Sequence, residues 1–162
     1  MQKPDSLKAH LIASDPDLRQ NPEKLLIFAD EGNIVAAGTG SLSFEYRFKL
    51  NIIITDYSGG ADAIMVPLLA WIAVYQNELL SNPDQRKTGI GFEMDYNNHA
   101  SRDISIKLEL TERVIVKRGD AGRLEVRHLA EPVPTPDYQD NFWRLYESYT
   151  LLAEWHTPTD QP

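Results

Sequence analysis

Cysteine is absent from this chain of 162 residues, and its absence excludes two classes of small protein. A chain without thiols has neither a disulfide scaffold nor a zinc module held by cysteine ligands. At this length one domain buries roughly two thirds of the surface that its unfolded chain exposes, so it needs no such cross-links. We therefore expect a single globular domain with an ordinary hydrophobic core.

Positive charge is scarce as well. The chain has 16 Lys and Arg against 24 Asp and Glu, a formal net charge of -8. A protein whose main function is to bind the phosphate backbone of a nucleic acid carries clustered Lys and Arg. The pairs Arg86-Lys87 and Lys117-Arg118 are too brief for such a surface. We therefore expect no specific nucleic-acid binding.

Long hydrophobic runs and targeting signals are also lacking. The longest nearly uncharged apolar stretch, residues 63–75, is well short of the roughly twenty residues that cross a bilayer. The first ten residues lack the apolar segment of a secretory signal. These patterns predict no membrane span and a protein that stays in the cytoplasm of the cell that makes it.

Alternating apolar residues mark the strongest element of the sequence, a strand over residues 43–55. Every even position from 44 to 54 is apolar, and the odd positions are polar or charged except for Ile53. Side chains of a strand alternate between its two faces, so this pattern predicts one buried and one wetted face. The length favours a long hairpin or a strand that extends past the core.

The remaining periodicities predict helices and further strands. A short N-terminal helix is expected over residues 6–14, and a main core helix over residues 64–80. Strands are expected at 25–28, 92–96, 104–116 and 124–127, with a turn at 30–33. Within the strand predicted at residues 104–116, Glu112 occupies a position where the alternation expects an apolar residue. This predicts either a bulge at Glu112 or the end of the buried stretch there. The fold class is therefore α+β, with a mainly antiparallel or mixed sheet packed by one major helix.

Proline and aromatic residues concentrate near the C-terminus. Residues 131–137 predict a stiff, extended linker. The linker separates a domain over residues 1–130 from an arm over residues 138–162, for which we expect a disordered end. Spacing in the arm permits a helix or a hairpin turning at Glu147-Ser148, and we favour the hairpin. So much apolar area is expected to pack on its own domain or on a neighbouring subunit. Its aromatic residues are Tyr138, Phe142, Trp143, Tyr146, Tyr149 and Trp155.

Patterns typical of catalysis are missing. The histidines lie far apart at positions 10, 99, 128 and 156, without the spacing of a helical metal site. No segment of the sequence matches the motif of a nucleophile elbow or of a phosphate-binding loop. The carboxylate pairs Asp56 with Asp62 and Asp95 with Asp103 flank turns. We expect no enzyme, no cofactor and no metal, and keep one alternative: a small-ligand-binding or hydrolytic domain built on Gly59-Gly60 and the first pair.

Four segments of the chain resemble the tail completion protein R family of temperate bacteriophages with contractile tails. They are residues 1–7, 41–56 (SLSFEYRFKLNIIITD), 64–71 (IMVPLLAW) and 103–113 (DISIKLELTER), followed by Glu131-Pro132. The resemblance runs in order from the start to about Pro136. It is less clear over the last twenty-odd residues.

The resemblance implies a structural role similar to that of tail terminators. Such a protein binds the head-proximal end of the tail tube, stops its polymerisation and presents a surface for head-tail joining. The resemblance also implies a homo-oligomer, for which a hexameric ring is the form typical of tail terminators. The tail tube protein is the expected partner, with sheath and head-completion or connector proteins as further candidates. The expected locations are the host bacterial cytoplasm during assembly and the head-proximal end of the virion tail.

A ring needs two different contact surfaces on each subunit, because its contacts run head to tail. The candidates are the aromatic arm and the wetted face of the long strand. The residues that we assign to these interfaces are Tyr138, Phe142, Trp143, Tyr146, Tyr149 and Trp155 on the arm and Glu45, Arg47 and Lys49 on the strand.

Overall fold

Seven strands and five α-helices are present in the computed structural model, which describes residues 1–38, 40–97, 100–132 and 141–157. The helices are α1 (Lys3–Ser14), α2 (Pro16–Gln20), α3 (Asp62–Tyr75), α4 (Glu78–Ser81) and α5 (Gln85–Thr88). The strands are β1 (Leu25–Ala36), β2 (Phe44–Tyr57), β3 (Ile90–Tyr96), β4 (Arg102–Arg118), β5 (Leu124–His128), β6 (Phe142–Glu147) and β7 (Thr150–His156). The predicted α+β class is confirmed.

The main sheet has the order β1-β2-β4-β3. Strand β3 pairs with residues 102–108 of β4, and β5 pairs with residues 114–118 near the C-terminal end of β4. Every described pairing is antiparallel, which decides between the antiparallel and mixed sheets that the sequence allowed. Leu50 of β2 lies opposite Leu108 of β4, and Ile52 lies opposite Ile106. All four are fully buried, so the predicted alternation of the long strand is confirmed.

Helices α1 and α3 cover the apolar face of the sheet. Leu7 and Leu11 of α1 and Trp71 of α3 are buried against the strands, as the three- and four-residue spacing predicts. The indole Nε1 of Trp71 donates to Ser6 Oγ at 3.1 Å, which satisfies its polar atom inside the core. Each large apolar side chain buried here contributes about 1.5–3 kcal/mol to folding.

The predicted start of the N-terminal helix is wrong, and Glu112 marks neither a bulge nor the end of the buried stretch, the two alternatives that the sequence left open. One contact explains both differences. Helix α1 begins at Lys3, because the Glu112 carboxylate accepts hydrogen bonds from the backbone N–H groups of Gln2 and Lys3 at 2.9–3.0 Å. A carboxylate at a helix N-terminus satisfies orphan donors and meets the positive end of the helix dipole. Strand β4 therefore stays in register through Glu112, which is only 2% exposed.

The turn predicted at residues 30–33 is a bulge inside one long strand. Glu31 and Gly32 of β1 together face one residue of β2, because Asp30 pairs with Lys49 and Asn33 with Arg47. Glu31 takes a left-handed conformation (φ 47°), which absorbs the additional residue. The chain then continues to Ala36, so β1 and β2 form the long hairpin that the strand length predicts.

The predicted helix over residues 64–80 is interrupted. Helix α3 ends at Tyr75, since Gln76 leaves the helical conformation (φ -148°, ψ 49°). The buried amide of Gln76 accepts from Lys3 Nζ at 2.8 Å and from the Thr111 backbone N–H at 3.1 Å. Its Nε2 donates in turn to Thr111 Oγ1 at 3.1 Å. These bonds to α1 and β4 compensate the broken helix, and α4 starts afresh at Glu78.

Candidate interaction surfaces

The arm forms the hairpin that we favoured over a helix. Strands β6 and β7 pair antiparallel, with Trp143 opposite Trp155 and Glu147 opposite Thr150. Ser148 takes a left-handed conformation (φ 53°) in the turn between them, next to the predicted turning point. Tyr138 and the predicted linker residues 133–137 lie outside the described residues, as do residues 158–162. The domain boundaries that we drew from the linker therefore remain predictions.

One face of the hairpin packs on the helices of its own chain. Ala153 and Trp155 of β7 are buried against Ala63 of α3, with Leu145 of β6 alongside. Strand β7 contacts both α1 and α3. The arm thus seats on the helix layer, on the side away from the sheet. Trp155, which we assigned to an interface with a partner, is 9% exposed and serves this contact within the chain.

The other aromatic residues of the hairpin are exposed. Tyr149 at the tip is 99% exposed, and Tyr146 next to the turn is 53% exposed. Phe142 and Trp143 are each more than two-fifths exposed. Trp143 Nε1 donates to Thr157 Oγ1 at 2.7 Å, which fixes the indole against the end of β7. An exposed set of large aromatic side chains of this kind is typical of a protein-protein interface.

The three charged residues assigned to the long strand line one cleft. Glu45, Arg47 and Lys49 lie on the wetted face of β2, at the wall of a cleft of about 560 Å³. Arg47 Nε donates to Glu45 Oε1 at 2.7 Å, and Lys49 Nζ is 2.5 Å from Glu31 Oε2. Exposed pairs of this kind contribute little to stability. They leave a polar cleft with an excess of carboxylates; the glutamates that line it are Glu31, Glu45, Glu78 and Glu109.

A second concave surface was missed by the sequence analysis. It is a groove of about 300 Å³ between the β1–β2 connection and the β4–β5 hairpin, lined by Leu42, Val116, Leu124 and Arg118 among others. Leu42 is 57% exposed and Leu124 50% exposed. The sequence signal was present in the alternation of Leu124 and Val126, but periodicity does not reveal that none of the described helices covers this end of the sheet.

A structural contact joins one residue from each of the two carboxylate pairs. Asp103 Oδ1 accepts from the Asp56 backbone N–H at 2.8 Å and from Asn97 Nδ2 at 2.9 Å. Gly59 lies against the Tyr57 ring, where a Cβ would come within 2.4 Å of the phenol oxygen. The Gly59-Gly60 turn therefore fits around a buried tyrosine. These contacts give Asp103 and Gly59 structural roles at the turns that the carboxylate pairs flank.

Buried polar groups of the core also have shifted pKa values with structural causes. Burial, together with the hydrogen bond that Tyr57 Oη donates to Asp15 Oδ2 at 2.7 Å, raises the pKa of Tyr57. Burial lowers the pKa of Lys3, against the opposing effect of the Glu131 carboxylate 3.0 Å away. Burial likewise lowers the pKa of His10, whose Nε2 lies 3.0 Å from the Pro67 carbonyl.

Clusters of metal-ligating side chains and long apolar helices are both missing from the parts of the chain that the structure describes. Those residues contain no group of three or more His, Cys, Asp or Glu side chains that could hold a metal ion. Of the four histidines, His99 lies outside the described residues. Among the described helices, none is both long and apolar enough to cross a membrane.

Comparison with known proteins gives two matches. The family model described as P2 phage tail completion protein R (GpR) matches residues 1–132. The chain is similar to the tail completion protein R of Escherichia phage P2, with 41% identity over 155 residues that cover 96% of this chain and 99% of the relative. No solved structure matches the chain. The match to the relative extends into the arm, which the family model does not reach.

Proposed function

This chain belongs to the P2 phage tail completion protein R (GpR) family, and from that premise we propose that it completes the phage tail by binding the head-proximal end of the tail tube. There it stops polymerisation of the tube and presents the surface on which the head docks. The observation that carries the proposal is the family membership itself. The role is structural, with no catalytic step, and the site of action is the virion tail.

The exposed aromatic arm supports a role in assembly. Tyr149 is 99% exposed at the tip of the arm, and interface anchors are enriched in tyrosine and tryptophan. Phe142, Trp143, Tyr146 and Tyr149 are therefore the arm residues that we assign to intersubunit or tube contacts, together with Tyr138. Glu45, Arg47 and Lys49 line a polar cleft that suits a charged segment of a partner.

The assembly that we propose is a homo-oligomer, in the form of a hexameric ring on the end of the tube. The tube protein is its first partner, and the sheath and the head-side connector are further ones. Assembly takes place in the cytoplasm of the bacterial host. The chain carries a net charge of -8, so a ring of six copies would repel DNA that passes through its opening rather than hold it.

The test uses purified tail tube protein polymerising in the presence of the purified chain. We expect the chain to bind one end of each tube and to stop growth, measured as the length distribution in electron micrographs. Gold-labelled chain should mark a single end. The double variant Trp143→Ala, Tyr146→Ala removes two exposed aromatic residues that we assign to these contacts, and we expect it to bind tube ends more weakly. Labelling along the tube wall, or tubes that continue to grow, would contradict the proposal.

A further inference from the structure

The groove at the far end of the sheet offers an apolar floor with a cation at its edge. Val116 of β4 and Leu124 of β5 lie on adjacent strands, and Leu42 of the β1–β2 connection closes the opposite wall. Arg118 lines the same groove directly across from Leu124. The wall is held in place, because the Val116 backbone N–H donates to Ser43 Oγ at 3.0 Å.

This groove is open in the described chain. On the face of β4 that packs under the helices, Val114 is 2% exposed, Val116 is half-buried and Arg118 is exposed, so the helix layer no longer covers this end of the strand. Val126 of β5 is 63% exposed on the same strand face as Leu124. No residue of the β6–β7 hairpin lines the groove. Among residues 1–38, 40–97, 100–132 and 141–157, none of the arm lines the apolar floor, and the arm is seated elsewhere.

The tip of the arm has the complementary chemistry. Tyr149 projects from the turn with 99% exposure, flanked by Tyr146 and by Leu151, which is 41% exposed. Glu147 stands two residues before Tyr149 and is also exposed. The tip therefore combines an aromatic anchor with a carboxylate. A cleft with an apolar floor and one charged rim residue suits such a side-chain pair.

Net charge favours the same pairing. Residues 113–127, which form the groove hairpin, carry five Lys or Arg and two Asp or Glu, a net charge of +3 in a chain whose total is -8. Residues 137–162, which contain the arm, carry five Asp or Glu and one Arg, a net charge of -4. Opposite potentials on two surfaces of one chain favour contact between copies and fix its register.

We propose that the arm tip of one copy docks in this groove of the next copy, with Tyr149 on the floor formed by Val116 and Leu124 and with Glu147 beside Arg118. The proposal rests on the homo-oligomer of the proposed function and names the contact that builds it. Two different surfaces meet, so the contact is heterologous and repeats around a ring. The face of the arm that holds Trp155 remains on its own helices while the tip reaches the neighbour.

The test measures the mass of the purified chain by light scattering across a concentration series, alone and on purified tails. Tyr149→Ala removes the aromatic anchor at the tip of the arm. Leu124→Asp places a charged side chain on the apolar floor of the groove. We expect each to raise the dissociation constant between copies about 30-fold, the effect of losing one interface hot spot. The matched control is Tyr96→Ala, which removes a tyrosine that is 72% exposed on β3, and it should leave association unchanged.

A mixture of the two variants gives the sharpest result. The Leu124→Asp chain keeps an intact arm and the Tyr149→Ala chain keeps an intact groove, so the mixture can form one contact and no more. We expect a 1:1 complex and no larger species. As a second pair, Arg118→Glu and Glu147→Arg should each weaken association and together restore it, which excludes misfolding as the cause of either loss.

The outcomes separate this contact from the proposed function. A wild-type oligomer that Tyr149→Ala and Leu124→Asp leave unchanged overturns the contact while the ring and its tube binding stand. A chain that is monomeric both alone and on tails overturns the contact and the homo-oligomer together. A groove that instead binds DNA, with binding abolished by Arg118→Glu and an unchanged mass, also overturns the contact.

Discussion

Glu112 shows how a single buried carboxylate sets the start of a helix. It accepts from the backbone N–H groups of Gln2 and Lys3 at the start of α1 and lies beside His128, with Nδ1 2.5 Å from Oε1. We expect Glu112→Gln to lower the free energy of unfolding by about 2–3 kcal/mol, because the amide has one acceptor oxygen for these donors where the carboxylate has two, and it carries no negative charge. Urea denaturation measures the change. Glu109→Gln, on the exposed face of the same strand, is the control and should stay within about 0.5 kcal/mol.

His10 gives the molecule a pH dependence with a definite sign. Burial lowers the pKa of His10, so below its unfolded pKa of about 6.5 the unfolded chain binds the proton more readily than the folded chain. The free energy of unfolding should therefore fall as the pH drops from about 7 towards the folded pKa.

The test of this sign is His10→Gln, which removes the titrating group and keeps a donor for the Pro67 carbonyl. Denaturant midpoints at pH 7.5 and 5.5 should differ less in the variant than in the wild type. His156→Gln, at an exposed position on β7, is the control. Equal losses on acidification in wild type and His10→Gln would contradict the role of His10.

At the scale of elements, the arm is a separate unit held by a small contact. Ala153 and Trp155 provide its buried face, and the rest of the hairpin is largely exposed. A unit with few buried apolar contacts opens locally before the whole protein unfolds. A substitution at Trp155 should therefore destabilise the arm more than it destabilises the sheet.

We expect Trp155→Ala to weaken the seating of the arm by about 3 kcal/mol, since it removes a large buried side chain. Amide hydrogen exchange in β6 and β7 should speed up roughly 100-fold, whereas amides of β2 and β4 should keep their rates. Tyr149→Ala changes an aromatic residue of the same hairpin at an exposed position and should leave both sets of rates unchanged. Slow exchange in the arm of Trp155→Ala would show that other contacts hold it.

The whole molecule is acidic, and its charge predicts weak contact with DNA. With a net charge of -8, the chain should give no mobility shift of duplex DNA at physiological salt, because phosphate binding depends on a local excess of Lys and Arg. The groove hairpin over residues 113–127 is the basic exception and could raise binding at low salt. Tight binding that falls steeply with added salt would favour a DNA-contacting joining factor instead.

Local pattern determined those elements whose signal is periodic. The alternation of residues 43–55 predicts β2 and its buried face, because a side-chain period of two fixes which residues share a face. Alternation also predicts most of β4, and apolar spacing predicts the core helix α3. The local pattern of the arm permitted both a helix and a hairpin, and the pairing of β6 with β7 decides for the hairpin. The family resemblance, carried by these same segments, is confirmed by the family match.

Tertiary structure alone decided the features that depend on distant partners. The break after α3 depends on Gln76 bonding to Thr111, 35 residues away, and the start of α1 depends on Glu112, 110 residues from Gln2. The groove exists because the helix layer stops short of β5, which no local pattern encodes. Periodicity reports which residues share a face, whereas only the packed chain determines what covers that face and which buried polar groups meet.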